Sequence, residues 1–223
     1  GRAVLVYLAD QACVTPHVWL SRAGNLEHPD RLIFDLDPST ADPGQAFPAV
    51  REAARRLRDI LEELGLSPFL MLTGSKGLHV TVPLDREADF DEARDFAREV
   101  AGMLARAYPE ELTVAPRKEK RGGRVFIDTA RNAYAQTAVP PYAVRARPGA
   151  TVAVPVEWEE LTASDLRSDA YTVKNLFRRL AQKQDPWEGG KQLQSRAAPL
   201  SAAVKRLDRA AGLEGLELED LES

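Results

Sequence analysis

The chain has 223 residues, 44% of them apolar and 29% charged, and its formal net charge of −4 is concentrated in residues 207–223 (Asp208, Glu214, Glu217, Glu219, Asp220 and Glu222 against Arg209), so the body is not acidic and a polyanionic partner is not excluded. One cysteine, Cys13, and three scattered histidines, His17, His28 and His79, exclude a disulfide scaffold and a paired-cysteine zinc site and fit a reducing cytoplasm. No apolar run reaches the roughly 18 residues needed to span a bilayer and the start carries no secretion pattern, so no membrane partner is expected.

In chain order, Arg31-Leu32-Ile33-Phe34-Asp35-Leu36-Asp37 reads as a strand stopped by Pro38, with Leu32, Phe34 and Leu36 on one face and Ile33, Asp35 and Asp37 on the other. Asp42-Pro43-Gly44-Gln45 opens a helix with an N-cap acid and a proline at the first helical position. Its apolar stripe is Val50, Ala53, Ala54, Leu57, Ile60, Leu61 and Leu64, and it ends at Gly65. Strands 69–73 and 78–83 flank the polar turn Thr73-Gly74-Ser75-Lys76-Gly77 as a hairpin. A second helix, 90–107, starts behind Asp89 with Glu92 at the capping-box position. Strands at 124–128 and 151–156 follow, then a helix over 172–183 with Leu176 and Leu180 inward. From about 188 the chain is rich in Gln, Ala and acids and reads as loosely packed. The division expected is a catalytic domain over 1–190 and a polar, acidic C-terminal tail over 191–223.

Asp35 and Asp37, two apart on one strand face, have Cα atoms about 6.5–7 Å apart and can share a pair of divalent ions, with Asp128 at another strand end as a third carboxylate. Hard oxygen ligands select magnesium or manganese. An Asp-x-Asp is also a common turn or cap feature. Here, however, both acids sit on a strand with Ile33 and Phe34, where unpaired carboxylates would be costly, so a positive partner is expected. The turn offers glycines for close backbone approach, the hydroxyls of Thr73 and Ser75, the Lys76 ammonium and the His79 imidazole, which together make a phosphate cradle in kind, though not a Walker loop. Arg117, Lys118, Lys120, Arg121, Arg124 and Arg131, then Arg145 and Arg147, and later Lys174, Arg178, Arg179 and Lys183, can either neutralise a phosphate backbone or form a solvated basic face.

His-Pro-Asp-Arg-Leu-Ile-Phe-Asp-Leu-Asp-Pro (28–38), Thr-Gly-Ser-Lys-Gly-Leu-His (73–79), Arg-Gly-Gly-Arg-Val-Phe-Ile-Asp-x-x-Arg-Asn (121–132) and Thr-Ala-Val-x-Pro-Tyr-x-Val-Arg-Ala-Arg-Pro-Gly-Ala (137–150) resemble, in that order, the polymerase domain of bacterial ligase D, a member of the archaeo-eukaryotic primase superfamily. Tyr-Thr-Val-Lys-Asn-Leu-Phe-Arg-Arg-Leu (171–180) and Asp-Pro-Trp (185–187) extend the similarity. The fold implied is α/β (α+β), a primase-like, RRM-like antiparallel sheet with helices packed on the face away from the aspartates.

The resemblance implies that Asp35, Asp37 and Asp128 are catalytic and hold two Mn²⁺ or Mg²⁺ ions. It implies that Thr73, Ser75, Lys76, His79, Arg131, Arg145 and Arg147 bind the nucleoside triphosphate, that Arg117, Lys118, Lys120, Arg121 and Arg124 contact DNA, and that His17 neighbours the site. Family members usually carry serine where Thr73 stands and His-Pro-Trp where His17-Val18-Trp19 stands. The implied reaction is addition of nucleotides, ribonucleotides by preference, to DNA 3′ ends or gaps in non-homologous end joining, with Ku and a separate DNA ligase as partners at the nucleoid of a bacterium or archaeon. The family's further N-terminal stretch, which contributes base stacking and DNA-end contacts, is expected to be missing, as are the ligase and phosphoesterase parts. Two other readings stand beside this one. Phe34-Asp35-Leu36-Asp37-Pro38-Ser39 also resembles the first motif of haloacid-dehalogenase-type phosphatases, with Asp35 as nucleophile, although Pro38 stands where glycine is usual. The third reading is a nucleic-acid-binding remnant without turnover.

Overall fold

The computed structural model describes residues 2–40 and 43–219. Its elements begin with α1 (Arg2–Asp10), β1 (Val18–Trp19), β2 (Ser21–Arg22), β3 (Asn25–Pro29), β4 (Arg31–Asp37), α2 (Pro43–Glu63), β5 (Phe69–Leu72) and β6 (Leu78–Pro83). They continue with α3 (Phe90–Ala107), β7 (Leu112–Thr113), β8 (Val125–Asp128), β9 (Thr137–Ala138), β10 (Val154–Val156), α4 (Leu176–Gln182), α5 (Lys191–Ser195) and α6 (Leu200–Glu219).

The alternation read over 31–37 becomes the middle of a six-stranded sheet ordered β10-β5-β6-β4-β8-β7. Leu32, Phe34 and Leu36 are fully buried against the apolar stripes of α2 and α3, so one sheet face carries the main core. Asp35 and Asp37 face the other way, where two smaller apolar clusters leave a gap between them. One cluster gathers Met71, Val139, Ala143, Ala153, Trp187 and Leu193, and the other Leu20, Ile33, Phe90 and Ala138. The sheet departs from the all-antiparallel expectation at one pair: β7 runs parallel to β8, because α3 returns the chain to the sheet edge beyond β8.

The helix ends follow local chemistry. Asp89 accepts from Glu92 N–H (2.9 Å) while the Glu92 side chain accepts from Asp89 N–H (2.9 Å), the reciprocal capping box that starts α3. At the end of α2, Leu66 N–H reaches Leu61 O and Gly65 N–H reaches Glu62 O (both 2.9 Å), the paired bonds that stop a helix at a glycine. Of the expected α2 stripe only Ile60 is not fully buried. The proposed N-cap Asp42 lies outside the described residues.

Three expectations need correction. The helix predicted over 172–183 is Leu176–Gln182, because the Asn175 side chain accepts from Thr172 N–H (2.7 Å) and donates to Ala170 O (3.0 Å), holding 172–175 as a turn. Leu180 is 40% exposed, and the inward place belongs to Arg179, which pairs with Glu160. The stretch after 188 is not loose over 191–207: Leu193 joins the Trp187 cluster, and Leu200, Ala203 and Leu207, at helical spacing in α6, pack into the main core. Their periodicity is present in the sequence but masked by its polar composition.

Candidate active site

Sheet register assembles the acidic row. Asp35 on β4 is paired across one ladder with His79 on β6 and across the other with Asp128 on β8, so the three side chains share a face. Asp37, two residues on, shares it too. His79 Nε2 stands 3.5 Å from Asp35 Oδ2, and its Nδ1 is buried without a hydrogen-bond partner. Asp128 Oδ1 accepts from Ala130 N–H (2.8 Å).

The β5–β6 turn closes one end of the row. Gly74 has φ +65° and its absent Cβ would sit 2.7 Å from the Val152 carbonyl, while a Cβ on Gly77 would fall on the Leu36 carbonyl beside Asp37, so both glycines are required for the turn to lie against β4 and the 152 segment. The Thr73 hydroxyl is buried and donates to Gly77 O (2.9 Å), so it shapes the turn. Ser75 is half-buried and lines the cleft. Lys76 is half-buried at the tip and is not part of the cleft lining.

Opposite the carboxylates stands a basic wall. A cleft of about 80 Å³ is lined by Asp35, Asp37, Thr73, Ser75, His79, His17, Arg131, Arg145 and the 137–139 segment. Eight of the sequence-predicted site positions line this cleft and Asp128 is paired to Asp35 by register, while Lys76 and the exposed Arg147 lie outside the lining. His17 donates through Nδ1 to Thr15 O (3.2 Å), and the Thr15 hydroxyl in turn donates to Val144 O (2.8 Å), tying His17 to the Arg145 loop.

The charges in this cleft offset one another only in part. Burial, reinforced by the neighbouring Asp35 charge, pushes Asp37 up to about 6, with Arg121 pulling the other way. Burial and the nearby Arg147 and Arg131 guanidinia lower Arg145, while Asp35 holds it up. Crowded carboxylates facing crowded guanidinia suit a cation and an anion bound together, and a divalent ion with a polyphosphate is such a pair. The hard oxygen donors of Asp35, Asp37 and Asp128 fit a divalent cation. Among the described residues, no three His, Cys, Asp or Glu side chains already surround a common point as a metal cage would, and Asp128 is turned to Ala130.

Several expected basic contacts serve the fold instead. Arg121 is buried over the Phe126 ring (4.0 Å) and donates to the Ala115 and Pro116 carbonyls. Arg124 donates to the carbonyls of Arg121, Pro109 and Lys120. Both guanidinia brace the loop they close, whereas Arg117, Lys118 and Lys120 are exposed. Arg179 and Lys183 both bind Glu160 (2.7 Å each), so they too are committed.

Other residues that position the site were not singled out from the sequence. Asn132 is buried and bonds both Ile33 N–H (2.7 Å) and Ile33 O (2.8 Å), clamping the Arg131 segment onto β4. Ser168 donates to Ser75 O and its own carbonyl accepts from Gly74 N–H, and the Thr151 hydroxyl donates to Gly74 O, so the glycine turn is held by two distant segments. Arg94 and Arg98 of α3 line a groove of about 560 Å³ with Asp128.

Comparison with known proteins shows the family and the fold. Residues 1–187 match the family model described as LigD, primase-polymerase domain. The chain is 36% identical over 204 residues to the multifunctional non-homologous end joining protein LigD of Pseudomonas aeruginosa, covering 91% of this chain and 24% of that protein. It is 37% identical over 175 residues to the multifunctional non-homologous end joining DNA repair protein LigD of Mycobacterium tuberculosis, covering 75% and 23%. The chain thus spans about a quarter of the length of these relatives. The solved polymerase domain of Mycobacterium tuberculosis ligase D in complex with DNA superposes with a TM-score of 0.75 at 33% identity, covering 87% of this chain and 68% of that one. The chain belongs to the LigD primase-polymerase domain family, a family of metal-dependent nucleotidyltransferases.

Proposed function

We propose that this chain adds nucleotides, ribonucleotides among them, to the 3′ ends of DNA at gaps and broken ends during non-homologous end joining. The observation that carries the reading is Asp35, Asp37 and His79 sharing one cleft with Arg131 and Arg145 beside a glycine turn, with Asp128 the register partner of Asp35 on the neighbouring strand. In this reading the primer 3′-hydroxyl attacks the α-phosphorus of a nucleoside triphosphate, a phosphodiester forms, and the bond to the β-phosphate breaks to release pyrophosphate.

Asp35, Asp37 and Asp128 would hold the divalent ions, Mn²⁺ or Mg²⁺, which when bound supply charge neutralisation and a more acidic hydroxyl. Ser75, Lys76 and His79 orient the triphosphate from the turn side. Arg131, Arg145 and Arg147 offset the negative charge that develops on the leaving group, from positions fixed before the substrate enters. Arg117, Lys118 and Lys120 track the DNA backbone. Partners in this reading are DNA ends or gapped duplex, nucleoside triphosphates, Ku and a separate ligase, in the cytoplasm at the nucleoid. The phosphatase alternative loses its ground once the chain is placed among nucleotidyltransferases.

The test is extension of a gapped duplex by the purified chain, with ribo- or deoxyribonucleoside triphosphates and with manganese, magnesium or chelator. Extension that is abolished in the Asp35→Ala/Asp37→Ala protein, with DNA binding kept, supports the proposal. An inactive wild-type chain that still binds DNA supports the remnant reading, and equal extension by the double variant refutes the metal assignment.

A further inference from the structure

Beside the cleft, on the surface reached through Arg131, lies an aromatic group that the proposed chemistry does not use. Trp19 and Tyr134 are 38% and 47% exposed, unusually open for large rings. They are nevertheless held in place. Tyr134 packs edge-on against Trp19 (centroids 5.5 Å, 74°) and against the buried ring of Phe90 (5.7 Å, 85°). Trp19 is also fixed by the β1–β9 ladder, where its register partner is Thr137, a residue of the cleft wall. Tyr134 follows the Asn132 clamp on β4 by two residues. The shelf is therefore anchored to the sheet that carries the acidic row and cannot simply fold away.

Its surroundings are cationic on the near side. Arg131 and His17 line the cleft together with Asp35, and Arg94 and Arg98, one and two turns along α3 from Phe90, are exposed. Exposed rings that lose little freedom on contact, flanked by guanidinia, form the combination that grips single-stranded nucleic acid: the charges track phosphates and the ring faces stack on bases whatever their sequence.

We propose that Trp19 and Tyr134 form a stacking shelf for an unpaired nucleobase of a DNA overhang or gap, placed next to the cleft so that the strand enters already oriented. The occupant is a base rather than a protein segment because the register partner of Trp19, Thr137, and Arg131, three residues before Tyr134, both line the cleft, so the rings adjoin it with a cation a phosphate chain requires. The shelf positions the strand and takes no part in bond making. The proposal rests on the cleft being a polymerase site, but its test is a binding measurement that needs no turnover.

The experiment measures binding of the full chain to an oligothymidylate overhang and to a blunt hairpin duplex, by anisotropy and by quenching of tryptophan fluorescence, across a salt series. Trp19→Leu keeps apolar bulk but not the stacking face, Tyr134→Ala opens the shelf, and Trp19→Phe preserves an aromatic face. The expected result is affinity for the overhang weaker by at least about fivefold in the first two variants, with an unchanged slope against salt, little change on the blunt duplex, and retention in Trp19→Phe. Quenching by the overhang should disappear in Trp19→Leu. Wild-type affinity in Trp19→Leu and Tyr134→Ala, or an equal weakening on both DNAs, overturns the shelf. A chain that fails to extend primers yet shows the selective weakening keeps the shelf and refutes only the polymerase reading.

Discussion

His79 and Asp35 face one another across the β4–β6 ladder with Nε2 3.5 Å from Oδ2, while the opposite nitrogen of the imidazole is buried with no partner. The imidazole is thus aligned to a carboxylate through one nitrogen while the other remains an unsatisfied polar atom inside the protein. The same ladder leaves Asp35 and Asp37 as neighbours whose repulsion is felt in Asp37. Binding of manganese should relieve it: wild-type chain is expected to gain thermal stability on titration, about 2.7 kcal/mol at a hundredfold excess over Kd. Asp35→Ala/Asp37→Ala should show no manganese-dependent shift in a thermal melt.

Arg145 is half-buried, lines the cleft and feels Asp35, so its charge is already aimed where a triphosphate would lie. Arg145→Ala is expected to reduce primer extension by roughly 10²-fold, measured as kcat/KM for the nucleotide, with the melting temperature nearly unchanged. Arg147→Ala, on an exposed position outside the cleft lining, should have a smaller effect.

Gly77 packs its Cα against the Leu36 carbonyl, immediately before Asp37. Gly77→Ala forces either the turn or the end of β4 to shift. A drop of about 1–3 kcal/mol in denaturant unfolding is expected, together with a fall in extension larger than the reduced stability explains, because Asp37 moves with the strand.

Glu160 is the acid around which the 176–183 segment is organised. Burial raises its pKa, but hydrogen bonds from Arg179 and Lys183 outweigh this and hold it at about 2. A carboxyl whose pKa is lower in the folded than in the unfolded chain contributes stability that is complete above its ordinary value of 4.5 and is lost as pH falls towards 2. Glu160→Gln should therefore flatten the acid limb of the stability curve between those values, as measured by urea unfolding at stepped pH. Arg179→Ala, which leaves the carboxylate enclosed and poorly paired, is expected to cost about 3 kcal/mol or more at neutral pH.

The two kinds of basic residue in the 117–124 loop should separate by experiment. Replacing Arg117, Lys118 and Lys120 by alanine is expected to weaken DNA binding and to reduce the slope of log K against log salt by about 0.9 for each phosphate that is no longer neutralised. Arg121→Ala and Arg124→Ala should instead lower the melting temperature, since their donors close backbone carbonyls and Arg121 lies on Phe126.

Much of the sheet and of the acidic row was legible because both are set by short-range patterns. The alternation over 31–37 placed Leu32, Phe34 and Leu36 inward and Asp35 and Asp37 outward, and the glycine turn between two apolar runs marked the β5–β6 hairpin, whereas the β4–β6 pairing that brings His79 beside Asp35 is long-range and had no local signal. What composition did not reveal was the fate of each guanidinium. Arg121, Arg124 and Arg179 look like Arg117 or Arg145 in sequence, and only the folded loops supply the carbonyls and the Glu160 carboxylate that claim them. Asn132, Thr151 and Ser168 were invisible for a related reason: their partners Ile33, Gly74 and Ser75 lie 99, 77 and 93 residues away. The parallel β7–β8 pair likewise depends on where α3 delivers the chain, which no local pattern states.

The acidic row is mechanically uneven. Asp35 is laced into ladders on both flanks of β4, so displacing it means tearing two sets of backbone bonds at once. Asp128 is the final residue of the four-residue β8, and its carboxylate accepts from the neighbouring Ala130 amide. The row thus has a central member on the inner strand β4 and an outer member at a strand terminus, so that adjustment to differently sized ions would cost least at the Asp128 side chain, sparing the rest of the sheet.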